Sequence, residues 1–403
     1  MRINKVKQFL CHLIWHVHPK VLTMFSFSSP QIIHYGRGQS EKTSQFAASF
    51  GQNVLLIHGA NAGRADWLLA ANQALGLRTI ALSCYSEPSL PEIEATLVQL
   101  QGFSPDVVIG LGGGSALDFA KALAALLPST GPALSFLEIL GDGRVLDADP
   151  IPMIALPTTA GTGAEVTKNA VISVPSHGLK VSLRDPRMIP KIAIVDPGLM
   201  QGAPKRITLS AGLDAITQVI EPYLCSTANP MTDALCTAAI RAGFSVLRSL
   251  VEDDATEAWD TMAWVSTCGG LALANAGLGA VHGFASVIGG KTSAPHGEIC
   301  GALLPAVLAC HAQKAEQNTE ISRRLDWVFS QIDRNFAAQS PYLGLDELRN
   351  WSRAQGLRGL NAMGLQPQDY VNIATAAAQA SSMRATPFPL TQADRLQMLN
   401  AAG

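Results

Sequence analysis

Charge is scarce in this chain and its cysteines are unpatterned, and each lack removes a class of function. Charged residues are only 15% of the 403 positions, the formal net charge is −2, and no long basic run occurs. Nucleic acid is therefore not an expected partner. The seven cysteines, at 11, 84, 225, 236, 268, 300 and 310, include no CxxC pair. Their scatter argues against a disulfide framework and for buried thiols in a reducing, cytoplasmic setting. No stretch reaches the roughly 18 uninterrupted apolar residues of a membrane span, so no membrane association is expected. What is present is a hydrophobic fraction of 48%, which is globular rather than disordered composition, on a chain long enough for two or three cores.

The N-terminal stretch MRINKVKQFLCHLIWHVHPKVL carries basic residues and a short apolar run broken by His12 and His16. A signal peptide needs a cleaner apolar core and a small-residue cleavage site. Residues 1–23 are therefore expected to be an extra, disordered tail or a misassigned start, with Met24 opening the first domain. From Gln52 strand-like and helix-like segments alternate. Asn53–Ile57, RTIALS, PDVVIG, IPMIALP and KIAIVDP read as strands, and ADWLLAANQAL, PEIEATLVQL and SALDFAKALAAL as helices. Gly76 is placed to end the first of these helices. Such alternation predicts a parallel sheet covered by helices. After about Arg206 the strand-like runs stop, and helices are predicted over Leu209–Cys225, Pro230–Leu250 and Glu257–Ala276. The breakers in PGLMQGAPK place a boundary near Gly198–Lys205, giving an α/β domain over 24–202 and an all-α domain over 203–403.

Two loops follow strands of the first half. In GLGGGSALDFAK, Gly112, Gly113 and Gly114 lack Cβ atoms, Ser115 is a natural N-cap, and Asp118 stands three later as in a capping box. A helix N-terminus offers free N–H groups and a positive dipole end to a pyrophosphate. The spacing is neither G-x-G-x-x-G nor a Walker A loop. A plain capped turn would also account for it, although three consecutive glycines exceed what a turn needs. LPTTAGTGAEVTK is dense in hydroxyls and small residues, and reads equally as a ligand-hugging loop or as an ordinary polar one.

In the helical half, Asp214, His282 and His296 are donors suited to a divalent metal such as Zn²⁺ or Fe²⁺. Gln218 stands four residues after Asp214, so both can share one helix face. Gly289, Gly290 and Pro295 interrupt the stretch between the two histidines, so their convergence needs the chain to fold back. A lone histidine in an apolar stretch is more often a satisfied core residue, and that reading also stands. The other histidines form no pattern.

Taken together these segments resemble the iron-containing (group III) alcohol dehydrogenase family. The marks are GGGSALDFAKA, PTTAGTGAEVT, Lys180 followed by DPRMIP and AIVDP, GLDAIT, and LANAGLGAVHG, PHG and ALLP, in the family's order and spacing from about Phe25 to the C-terminus. The resemblance implies a nucleotide-binding α/β domain, an all-helical domain, and reversible hydride transfer between NAD(P) and an alcohol/aldehyde pair in the cleft between them. It implies that Gly112 to Ser115 and Asp118 hold the dinucleotide, that Thr158, Thr159, Thr162 and Thr167 line it, and that Lys180 reaches the ribose near the nicotinamide. Asp214, His282 and His296 match three of four metal ligands. A homo-oligomer is likewise implied.

Three positions depart from the family pattern. Gln218 stands where a histidine ligand is usual, and Ser286 stands where many members carry a second histidine. Gly59 replaces an aspartate that often ends the first strand; with Asn61 and Arg64 nearby it would admit a 2′-phosphate, which favours NADP over NAD. Gln218 leaves three readings open. It is a weak fourth ligand or a partner of the ligands; or the enzyme is a metal-independent carbonyl reductase, a maleylacetate-reductase-like enzyme being the related case; or the chain is a non-catalytic nucleotide-binding relative.

Overall fold

The structure, a computed structural model, describes residues 24–142, 144–336 and 343–403. The expected tail, residues 1–23, lies outside the described residues. The first half is a six-stranded parallel sheet in the order β1-β8-β5-β4-β2-β3. Its strands are β1 (Ile32–Tyr35), β2 (Asn53–Gly59), β3 (Arg78–Cys84), β4 (Val107–Gly112), β5 (Met153–Pro157) and β8 (Ile192–Val195). Helices α1 (Thr43–Ala48), α2 (Asp66–Ala74), α3 (Leu90–Gln99) and α4 (Gly114–Leu126) pack on it. The central strands read as continuous apolar runs because both faces are covered. Leu55, Ile57 and Val108 share a core with Leu117, Ala120 and Leu123 of α4, whereas Val54, Leu56, Val107 and Ile109 share one with Leu68 of α2. Gly76 follows α2 with φ +72°, as expected of a helix-ending glycine.

Two strand features were not anticipated. β1 is a short, half-exposed edge strand paired with β8. β6 (Asn169–Val174) and β7 (Leu179–Arg184) form a separate antiparallel hairpin.

Among the described residues no strand follows Val195. The chain continues as α5 (Lys205–Leu224), α6 (Pro230–Asp253), α7 (Ala258–Asn275), α8 (Ala280–Lys291), α9 (His296–Lys314), α10 (Glu320–Phe336), α11 (Gly344–Ala354), α12 (Tyr370–Ala377) and α13 (Gln392–Ala402). Among the described residues, α6 is the one helix long and apolar enough by itself to cross a membrane, but Cys236, Ile240, Phe244 and Leu247 lie in the helical core. The six described cysteines are free and buried, as their scatter suggested.

The expected capping box at α4 is not formed. Gly113 occupies the N-cap position, Ser115 lies inside the first turn, and no side chain caps the helix. The Asp118 carboxylate is drawn elsewhere: it accepts the Val171 N–H of β6 at 3.0 Å and faces Lys121 Nζ at 3.4 Å. The N-terminal N–H groups of α4 therefore carry no side-chain partner, which is the arrangement an anion would use.

The threonine loop is held against α7 with almost no clearance. Gly163 has φ +59°, and a Cβ there would lie 2.6 Å from the Gly270 Cα and backbone nitrogen. Gly163→Ala combines backbone overlap with left-handed strain and is expected to cost about 2–4 kcal/mol. Urea unfolding of the variant beside the parent checks this, and an unchanged midpoint would contradict the close approach.

Candidate active site

The strand order sets where a ligand can sit. From β2 the chain passes to β3 on one side and then to β4 on the other, so the connections reverse between β2 and β4. Open α/β sheets bind ligands in the crevice beyond the carboxyl ends of strands at such a reversal. β2 ends at Gly59 and β4 at Gly112, and a Cβ on Gly112 would lie 3.3 Å from the Gly59 nitrogen. Gly59 itself has open space where its Cβ would be. Past β5 the threonine loop runs over the same ends, its Thr158 N–H donating to the Gly112 carbonyl at 2.9 Å.

The glycines of the turn have a second reason to be glycine. A Cβ on Gly113 would lie 3.3 Å from Thr159 Oγ1, and one on Gly114 2.8 Å from Thr162 Cγ2. Gly113 and Gly114 thus let the threonine loop lie on the turn, whatever else the turn binds. Thr158, Thr159, Thr162 and Ser115 are half-buried there. Thr167 is buried, and its hydroxyl accepts from Lys121 Nζ at 2.8 Å. Asn61 is exposed and caps its own turn by accepting from Gly63 N–H. Exposed Arg64 donates to the Leu199 carbonyl. Lys180, on β7, pairs with Glu87, and a Cβ on Gly289 of α8 would lie 3.2 Å from its Nζ.

Asp214, His282 and His296 do converge, and they converge with a residue the sequence reading passed over. One donor atom from each of Asp214, His282, His296 and Cys300 lies within 4.8 Å of every other. Asp214 comes from the middle of α5, His282 from the first turn of α8, and His296 and Cys300 from the first two turns of α9. The fold-back is made by Thr292 to Pro295; Gly289 and Gly290 do not break α8, which runs to Lys291. His282 Nε2 lies 3.3 Å and His296 Nε2 3.9 Å from Asp214 Oδ1. Cys300 Sγ lies 3.9 Å from His282 Nε2. Tetrahedral donors about 2.0–2.3 Å from one centre are separated by roughly 3.3–3.7 Å, so these spacings suit a small divalent cation.

The buried polar atoms make the same point. Asp214 Oδ1 and Gln218 Oε1 are buried and have no hydrogen-bond partner. Gln218 Nε2 donates to the Gly161 carbonyl at 3.1 Å. A carbonyl can only accept, so this bond fixes the amide orientation and leaves the Gln218 oxygen free one turn beyond Asp214. Glu221, which the sequence reading also missed, accepts His282 Nδ1 at 2.7 Å and the Val281 N–H at 2.6 Å. A carboxylate at Nδ1 holds the ring in the tautomer whose Nε2 lone pair points into the cluster. Electrostatics agree. Burial works against charge on His282, yet Cys300, Asp214 and Glu221 together hold its pKa well above the ordinary value. His296 is likewise raised, to about 9; burial opposes this and is outweighed by Cys300 and Asp214. The cluster therefore attracts positive charge, and its residues fit a divalent metal.

The two half-sites meet through named contacts. The Gln218–Gly161 bond ties α5 to the threonine loop, and Thr267 of α7 donates to the buried Glu165 of that loop at 2.8 Å.

Comparison with known proteins places this architecture. The description "Iron-containing alcohol dehydrogenase" matches residues 30–197, and its C-terminal counterpart matches residues 208–403. The chain is 31% identical over 385 residues to the probable alcohol dehydrogenase EutG of Salmonella typhimurium, covering 94% of each. It is 33% identical over 323 residues to the long-chain-alcohol dehydrogenase 1 of Geobacillus thermodenitrificans, covering 78% of this chain and 80% of that one. Its fold matches an alcohol dehydrogenase from Oenococcus oeni with a TM-score of 0.83 at 26% identity, covering 94% of this chain and all of the other. The chain belongs to the iron-containing alcohol dehydrogenase family, and it is an oxidoreductase of the alcohol dehydrogenase class.

Proposed function

We propose that this chain interconverts an alcohol and its aldehyde, with NADP preferred over NAD, in the cleft between the strand ends and helices α5, α8 and α9. The observation that carries the reading is the Gln218–Gly161 bond, which joins the loop over the strand ends to the helix bearing Asp214. A cofactor lying across Gly59, Gly112 to Ser115 and the threonines would bring its far end to that junction, where Lys180 approaches α8.

In the reducing direction, negative charge builds on the carbonyl oxygen as hydride arrives. Asp214, His282 and His296 would hold a divalent metal, which when bound would supply Lewis-acid stabilisation of that charge, as a bound nicotinamide would supply the hydride. The chain's own residues do the positioning. Glu221 fixes the His282 ring, Gly161 fixes the Gln218 amide, and α4 offers uncapped N–H groups to the pyrophosphate. His296 is more than a third exposed, so the cluster is open to solvent on that side.

A cofactor-by-aldehyde activity screen, with and without Fe²⁺, Zn²⁺ and chelator, tests the reading. Turnover that is lost on chelation and restored by metal is expected; cofactor binding without turnover on any aldehyde would sink it. Cofactor choice has its own probe. Gly59→Asp sets a carboxylate where the 2′-phosphate would lie and is expected to raise KM for NADP by roughly 10- to 100-fold while sparing NAD. An equal effect on both cofactors would place the 2′-phosphate elsewhere.

A further inference from the structure

We infer that the Cys300 thiolate is the fourth protein ligand of the metal site, in place of the histidine absent at position 218, and that it biases the site towards zinc over iron. The inference rests on the metal-dependent reading above and deepens it.

Cys300 lies one helical turn after His296 on α9, so both project from one face into the cluster. It is fully buried, and its Sγ lies 3.9 Å from His282 Nε2. A buried cysteine is by itself ordinary, because free cysteine behaves as a small hydrophobe. Two observations set this one apart. Cys84 and Cys225 point their sulfurs at the backbone carbonyls of Ser86 and Pro222, whereas Cys300 points at an imidazole nitrogen. The same cluster also contains a buried carboxylate oxygen, Asp214 Oδ1, that faces both imidazoles with no hydrogen-bond partner.

Charge balance favours sulfur over the amide. A divalent ion held by Asp214, two neutral imidazoles and Gln218 would touch only one negative charge, the next lying on Glu221 behind the His282 ring, and excess positive charge at the ion is costly to bury. Asp214 and a Cys300 thiolate together neutralise it. Binding would release the thiol proton to solvent, the usual coupling of metal and proton at such a site. Thiolate, imidazole and carboxylate in one set suit zinc, while a hard oxygen-rich set would not.

Cobalt(II) is the probe, added to the full-length protein after chelation. Expected are one cobalt per chain, visible ligand-field bands, and a sulfur-to-cobalt charge-transfer band in the near ultraviolet. Cys300→Ser should lose the charge-transfer band and keep the visible ones, and Gln218→Ala should keep both. Metal analysis after equimolar loading should show zinc displacing iron in the parent, with that preference reduced in Cys300→Ser. Stoichiometric cobalt with no charge-transfer band would overturn the inference and leave the metal-dependent reading standing. No cobalt bound at all would overturn both.

Discussion

Replacing Asp214 with alanine is expected to lower kcat/KM by roughly 10²- to 10³-fold, the usual loss when a group that positions charge stabilisation at the reacting oxygen is removed. The geometry explains the size. Asp214 is the carboxylate of the cluster, and it approaches both imidazoles, at 3.3 Å and 3.9 Å, through the same oxygen. It is buried, and His282 and His296 overcome the cost of that burial to hold its pKa below the ordinary carboxylate range. Alanine removes the only permanently charged donor and leaves the imidazoles with Glu221 alone, behind the His282 ring, as counter-charge. Metal content should fall well below one per chain. Cofactor affinity, read by the fluorescence of the bound dinucleotide, should hardly move, because the crevice between β2 and β4 is built from other residues. A variant that lost metal but kept its turnover would instead support a metal-independent carbonyl reductase.

The contrast between the two half-sites shows what the sequence can and cannot display. The crevice was legible because its parts are local. Apolar runs such as Asn53–Ile57 mark doubly covered strands, and Gly112 to Gly114 directly follow one of them. The helix that follows was also legible, but its cap was not. Ser115 and Asp118 have capping-box spacing, yet Asp118 turns to the hairpin, a partner 53 residues away in the chain. The edge strand β1 and the hairpin are weak in sequence for a related reason: half their residues face outward, so no continuous apolar run announces them.

The donor cluster needed three helices to be brought together. Asp214 and the two histidines were found by residue type, aided by resemblance. Cys300 and Glu221 had only spacing to offer, four residues after His296 and seven after Asp214. Such intervals are common in any helix. They acquire meaning only once α5, α8 and α9 converge. Gln218 gains its meaning the same way: the Gly161 carbonyl, on a loop of the other half, decides which end of its amide is left without a partner.

Lys121→Met is expected to destabilise the protein by about 3–5 kcal/mol, because it removes one partner of a buried charge pair and strands the other. Lys121 is almost wholly buried on α4, beneath the glycine turn. Its ammonium donates to Thr167 Oγ1 and to the Asn169 carbonyl, both at 2.8 Å, and faces Asp118 at 3.4 Å. Burial pushes the Lys121 pKa down and the Asp118 pKa up, each opposed by the partner. Methionine fills most of the volume, so cavity formation contributes little, and the loss isolates the polar network. That network joins α4, the end of the threonine loop and the first strand of the hairpin that carries Lys180. Its disruption should therefore also raise KM for the cofactor, whereas metal content should stay at the parental level, since no cluster residue is touched. Urea unfolding, cofactor titration and metal analysis on the same preparation separate these outcomes. A stable variant with normal KM would mean that the Asp118–Val171 bond at 3.0 Å and the packing of α4 hold the loop and hairpin in place without the ammonium.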